Sequence, residues 1–131
     1  MILLDTHAWI WFVDNPDLLG PAARKAVEHA AAEGTVHVSA ISTWEVFMLV
    51  KKGRLRFRVD PQAWVARCER VSFFDFVPVT NDIARLAVAL PDSAPPDPAD
   101  RLIMATAAHL GVPLVTKDDR IRSCKAVRTV W

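Results

Sequence analysis

Short unbroken apolar runs alternate along this chain with longer segments whose apolar residues recur at helical spacing. Ile2-Leu3-Leu4, Val36-His37-Val38, Phe76-Val77-Pro78-Val79, Val112-Pro113-Leu114-Val115-Thr116 and Val127 to Val130 read as strands. Between them the pattern predicts helices. Ala8 to Val13 is a short apolar segment stopped by Asp14-Asn15-Pro16. Pro21 opens a second helix in which Ala23, Val27, Ala30 and Ala31 recur at helical spacing, and Gly34 ends it. Further helices run from Thr43 to about Lys52, closed by Gly53, from Gln62 to Val71 after Asp60-Pro61, and from a cap at Asn81 through Leu90. The stretch Pro91-Asp92-Ser93-Ala94-Pro95-Pro96 cannot continue a helix and forms a loop. Asp97-Pro98-Ala99-Asp100 then starts a helix over Arg101 to Leu110, ended by Gly111.

Strands separated by helices need crossover connections, which places the chain in the α/β class with a mainly parallel sheet buried on both faces. At 131 residues it fits one domain, with no repeat or low-complexity tract to divide it.

Charge alters this picture only locally. The 16 basic and 15 acidic side chains nearly cancel, so no global field draws the chain to nucleic acid. Lys51-Lys52-Gly53-Arg54-Leu55-Arg56-Phe57-Arg58 is the one dense basic run. Such a run is ordinarily a solvated face at a helix end, and RNA contact is the sharper alternative. Cys68 and Cys124 form no Cys-x-x-Cys motif, which makes a reducing, cytoplasmic compartment the expectation. Nothing at the start of the sequence reads as a signal peptide, and no apolar run approaches the length of a membrane span.

The candidate chemistry lies in carboxylates. Asp5 follows the first strand, and Asp118 follows the strand that ends at Thr116. In open α/β sheets ligands bind outside the carboxyl ends of the strands, so acids at those ends converge even when far apart in sequence. Each acid also has a plain structural reading. Asp5 and Asp118 suit turns or caps, Ser42-Thr43-Trp44-Glu45 is a capping box, and Asp97 is a natural N-cap with Asp100 in the first helical turn. Helix stability does not explain why all would lie at one end of one sheet. Carboxylates so gathered cannot all stay ionised without a cation, and an oxygen-rich set suits Mg²⁺ or Mn²⁺.

Other chemistries fit less well. A haloacid dehalogenase type of phosphatase needs a second Asp where His7 stands, and a receiver domain needs its acids in another order. No Gly-rich turn follows the first strand, which argues against dinucleotide binding. His29, His37 and His109 have no zinc-like spacing, and His7 beside Asp5 reads first as a structural hydrogen bonder. Trp9, Trp11, Phe12, Trp44, Phe47 and Met48 are chiefly core candidates, but their number suggests that some line a partner groove.

Taken in order, Leu3-Leu4-Asp5-Thr6-His7, Ser39-Ala40-Ile41-Ser42-Thr43-Trp44-Glu45, Asp97-Pro98-Ala99-Asp100-Arg101-Leu102-Ile103 and Leu114-Val115-Thr116-Lys117-Asp118 resemble a PIN domain and, more narrowly, a VapC-type toxin. The resemblance spans essentially the whole chain, 1–131. It implies a three-layer α/β/α sandwich and a Mg²⁺-dependent endoribonuclease acting as the toxin of a toxin-antitoxin pair. Asp5, Glu45, Asp100 and Asp118 carry over as catalytic acids and metal ligands, with Asp97 as an additional acid at the rim. Asp5 and Asp100 are expected to touch the first ion most directly, with Glu45 and Asp118 acting through water or a second ion. Thr6 and Thr116 stand near enough to serve as supporting donors, with a helix cap as the alternative role for either. A cognate antitoxin whose basic residue enters the acidic site, an RNA substrate, a homodimer and no membrane are the implied partners. The branch often carries a Lys four residues after the Glu, whereas this chain has Leu49 there. The rival from another class is a non-catalytic PIN-like module that binds RNA or protein without cutting.

Overall fold

The computed structural model describes residues 1–131. Five strands, β1 (Ile2–Leu4), β2 (Val36–Ser39), β3 (Phe74–Val77), β4 (Leu114–Val115) and β5 (Thr129–Val130), form one sheet in the order β3-β2-β1-β4-β5. Every pairing is parallel. The helices between them are α1 (Thr6–Asp14), α2 (Pro21–Glu33), α3 (Ala40–Lys51), α4 (Pro61–Glu69), α5 (Asn81–Ala89), α6 (Pro98–Leu110) and α7 (Asp119–Ser123). A single 3₁₀ turn at Pro16–Leu18 joins α1 to α2.

The two-residue period of a strand sorts the sheet into two cores. Ile2 and Leu4 point with Val36, Val38 and Val115 into a cluster completed by Trp9, Val27, Val46 and Trp64, which comes from α1 to α4. Leu3 points the opposite way with Leu114, meeting Ile103, Met104 and Ala107 of α6 and Ile121 of α7. The sandwich therefore has helices on both faces, as a parallel sheet requires. Helix α5 rests on α6 through Ile83, Ala87 and Ala105. Gly34 and Gly111 end α2 and α6 with φ of 103° and 68°, the left-handed conformation that lets the cap N–H return to the last carbonyls.

Some boundaries differ from the sequence expectation, and each has a cause. Strand β3 lies two residues earlier than 76–79. Pro78 has no N–H for the ladder, while Phe74 and Phe76 pack on the α1 to α4 core. Thr80, not Asn81, caps α5, accepting from the Ile83 N–H at 3.3 Å. Helix α7 has no counterpart in the sequence pattern, because five residues carry too little periodicity to distinguish a helical turn from a polar loop. Cys68 and Cys124 are both buried and unpaired, one in each core. No helix is long and apolar enough to cross a membrane.

Strand order decides where a ligand can sit. From β1 the chain moves outward on one side through β2 and β3, and on the other through β4 and β5. The crevice between the carboxyl ends of β1 and β4 is thus the topological switch point.

Candidate functional site

Asp5 leaves β1 at that switch point and caps α1, its Oδ1 accepting from the Ala8 N–H at 2.8 Å. Asp118 does the same beyond β4, capping α7 through a 2.8 Å bond from the Arg120 N–H. Its own N–H donates to Thr116 Oγ1 at 3.1 Å, which fixes the turn. Asp97 caps α6 by accepting from the Asp100 N–H at 2.9 Å, so the Asp100 carboxylate in the first turn is left unbonded to its own backbone. One lone pair of each capping acid serves the helix and the rest stay available. The positive ends of α1 and α6 also lessen the repulsion among the acids.

Glu45 departs from the sequence expectation in a way that favours the site. Helix α3 begins earlier than Thr43, with Ser39 as its cap accepting from the Ile41 N–H at 3.2 Å. Ser42 and Glu45 therefore lie inside the helix, and the expected capping box does not form. Glu45 Oε1 instead lies 2.5 Å from Thr6 Oγ1, whose hydroxyl is also 2.9 Å from that of Ser42. Thr6 has one proton, and the carboxylate is the stronger acceptor, so in this relay of Ser42, Thr6 and Glu45 the Thr6 hydroxyl donates to Glu45. Thr6 and Ser42 are both buried. This relay aims Glu45 across the switch point from a different helix.

Asp5, Thr6, Glu45, Asp100 and Asp118 line one open cleft of about 500 Å³ with His7, Trp11, Ile103 and Lys117. Asp97 opens instead on a neighbouring groove that Glu45 shares. The electrostatics show how closely the acids interact. Asp100 is pushed up to about 7, by burial first and then by the charges of Asp97, Glu45, Asp118 and Asp5. Burial also raises Asp5 and Glu45, partly offset at Asp5 by the Thr116 hydroxyl and at Glu45 by Thr6. No group of three or more His, Cys, Asp or Glu side chains is arranged to cage an ion unaided. The donor set fits a hard cation that keeps several of its waters, as Mg²⁺ does, better than one stripped by a closed protein cage.

Several participants are not marked as such by the sequence pattern. Trp11, a core candidate by its spacing, forms a wall of the cleft, with the Lys117 ammonium 5.9 Å from its ring centroid and Trp131 packed edge-on at 5.9 Å. Ser42 has the spacing of a cap and instead meets the Thr6 hydroxyl. Arg101, adjacent to Asp100, turns away from the cleft and donates to the carbonyls of Ala87 at 3.0 Å, Leu90 at 3.1 Å and Pro95 at 3.3 Å. It satisfies the end of α5 and anchors the proline-rich loop that delivers Asp97. The Asp-Arg pair thus joins a site acid to a structural cation.

Comparison with known proteins shows what the chain is similar to. Residues 2–126 match the family model of the PIN domain. Ribonuclease VapC22 of Mycobacterium tuberculosis (strain ATCC 25618 / H37Rv) is 42% identical over 133 residues, covering 99% of this chain and 98% of that protein. Among solved structures, VapBC2 from Rickettsia felis bound to a DNA fragment from its promoter superposes with a TM-score of 0.71 at 17% identity, covering 98% of this chain and 97% of that one. A toxin-antitoxin complex from Klebsiella pneumoniae gives a TM-score of 0.66 at 23% identity, covering 100% and 97%. At those identities the structures speak for the fold alone, whereas the domain match and the 42% identical relative establish kinship. The chain belongs to the PIN-domain family, within its VapC group.

Proposed function

We propose that this protein is a metal-dependent endoribonuclease, the toxin of a toxin-antitoxin pair, and that its cleft cuts single-stranded RNA. The observation that carries the reading is the convergence of Asp5, Glu45, Asp100 and Asp118 on one cleft at the β1/β4 switch point. An inert scaffold has no use for an acid raised to about 7 by burial and then by the charges of four neighbouring acids. The name of the 42% identical relative supports ribonuclease activity, and the Klebsiella pneumoniae structure, a toxin-antitoxin complex, supports a protein antitoxin. A cationic side chain of that antitoxin is the chemistry that would neutralise the cleft. The reading includes a cytoplasmic homodimer.

Asp5 and Asp100 hold the ion most directly in this reading, while Glu45 and Asp118 orient water about it. When bound, Mg²⁺ or Mn²⁺ offsets charge developing on the phosphoryl oxygens and acidifies water. The protein's own part is positional. Thr6 and Thr116 fix the carboxylates they touch, so little rearrangement is needed as charge builds. Lys117 is the one Lys or Arg that lines the cleft and stands where a substrate phosphate would enter. Single-stranded RNA is favoured because duplex RNA exposes little readable sequence to side chains.

The test is incubation of partner-free protein with single-stranded RNA, with Mg²⁺ or with excess chelator. Cleavage with the ion and none with chelator is the expected result, and equal cleavage in both rejects metal dependence. A binding readout accompanies it. Mg²⁺ or Mn²⁺ at about a hundredfold over its Kd should stabilise the folded protein by about 2.7 kcal/mol at pH 8, seen as a rise in Tm that chelator reverses. Thr6→Val leaves Glu45 untethered and is expected to slow cleavage about tenfold, the equivalent of one charge-assisted hydrogen bond. Thr6→Ser should restore most of the rate. If Thr6→Val cuts at the wild-type rate, the relay from Ser42 to Glu45 plays no part in the reaction.

A further inference from the structure

The acid cleft is poorly suited to hold RNA by itself, since it presents carboxylates to a polyanion. The neighbouring groove is mixed in charge, since Lys52 and Arg54 line it opposite the two carboxylates of Glu45 and Asp97. It is about 280 Å³ in volume and lies between α3 and the start of α6. Glu45 lines both hollows, so the groove opens directly onto the cleft. Trp44, next in sequence to that acid, is 56% exposed although it is among the largest apolar side chains of the chain. An indole this exposed beside the acid cleft presents an open face on which a ligand ring can stack.

The cations nearby narrow what that occupant is. The basic run predicted from sequence is split by the fold. Lys52 and Arg54 line this groove, while Arg56 opens on a separate one with Leu55 and Val59. Lys52 and Arg54 are exposed and form no ion pair with the protein's own carboxylates. Arg24, Arg85, Arg120 and Arg122 are all engaged in such pairs. A flat aromatic face flanked by two unpaired cations is the chemistry that binds a nucleotide, the ring stacking on the base and the cations meeting phosphates.

We propose that the groove lined by Trp44, Lys52 and Arg54 is a nucleotide subsite that holds the base flanking the scissile phosphate. The inference rests on the ribonuclease reading and deepens it. It explains how RNA stays beside a cluster of acids: the stacking and the phosphate contacts lie one step away from the cut. Because every base has a π-face, the subsite tolerates different bases and supplies affinity rather than a sequence code.

Binding is measured in an Asp5→Asn background, so that cleavage does not enter, with fluorescent oligo(U) and oligo(A) octaribonucleotides in Mg²⁺. Adding Trp44→Ala is expected to weaken both octamers about tenfold or more, while Trp44→Phe keeps most of the affinity. Lys52→Ala with Arg54→Ala should lower the slope of log K against log salt by about 1.4, two phosphates on a single strand. Circular dichroism and sedimentation of each variant establish that fold and oligomeric state are unchanged. Unaltered octamer affinity in Trp44→Ala overturns the proposal. So does a Trp44→Ala variant that loses self-association or antitoxin binding but not RNA, since the groove is then a protein interface. Trp44-dependent RNA binding in a protein whose wild type never cuts RNA sinks the nuclease reading and leaves the subsite standing.

Discussion

Asp5→Asn is expected to lower the rate of RNA cleavage by about a thousandfold or more while the protein stays folded. Asp5 stands at the junction of β1 and α1, where one oxygen caps the helix through Ala8, the Thr116 hydroxyl takes a further lone pair, and the carboxylate lines the cleft. Asparagine keeps the capping oxygen, and Asn caps a helix about as well as Asp. It loses the negative charge and half of the oxygen donors, which is what a hard cation requires. Burial already disfavours the charged form of Asp5, so its removal should not destabilise the metal-free protein. The measurement is mapping of RNA ends after induction of the wild type beside the variant, together with Tm values of both purified proteins. RNA cut at the same sites and rate by Asp5→Asn would falsify the assignment of this cleft as the catalytic centre. A lost fold in the variant would be visible in the melt, and Asp5→Ser, which also caps, then takes its place.

Asp100→Asn is expected to separate stability from catalysis in a pH-dependent way. In the folded protein Asp100 holds its proton up to about 7, through burial and then the charges of Asp97, Glu45, Asp118 and Asp5. In the unfolded chain an Asp titrates near 3.9. The folded state therefore binds a proton that the unfolded state has released, and metal-free stability falls as pH rises between about 4 and about 7. Because Asp100 is half-buried and water screens part of the interaction, the loss is about 1–2 kcal/mol rather than the full shift. Asparagine carries no charge to bury. The metal-free variant should therefore melt above the wild type at pH 8, less about 0.5 kcal/mol for a first-turn acid lost from α6, and the gap should close by pH 4. Added Mg²⁺ reverses the order at pH 8, because the ion rewards the carboxylate. Cleavage by the variant should fall about a hundredfold or more. A gap in Tm that stays constant from pH 4 to pH 8 would show that neither burial nor the neighbouring acids raise Asp100.

Both predictions depend on features of unequal legibility. That Asp97 caps α6 with Pro98 at its first position is a local matter, settled within four residues, and the sequence expectation and the structure coincide. The strand ending at Leu4 and the following acid are equally plain. The box at Ser42 and Glu45 is a sound local inference that the fold overrides. Strand β2 carries Ser39 to the sheet end, where it caps α3 one turn earlier, and Glu45 finds a better partner in Thr6. Trp11 and Trp44 are indistinguishable from core residues by pattern, since an aromatic at helical spacing looks the same whether a neighbour or a ligand covers it.

The order and identity of the acids, the α/β class and the family resemblance were determined by sequence alone, because caps, turns and periodicity act over a few residues. Tertiary structure decided which oxygens remain free and what stands beside them. Thr6 and Glu45 are 39 residues apart, and Asp5 and Asp118 meet because β1 and β4 pair in parallel at the centre of the sheet. Such proximities depend on crossover paths and on burial of both sheet faces, and no short window of sequence contains them. The same long-range packing divides one basic run between two grooves, placing Lys52 and Arg54, but not Arg56, beside the acids.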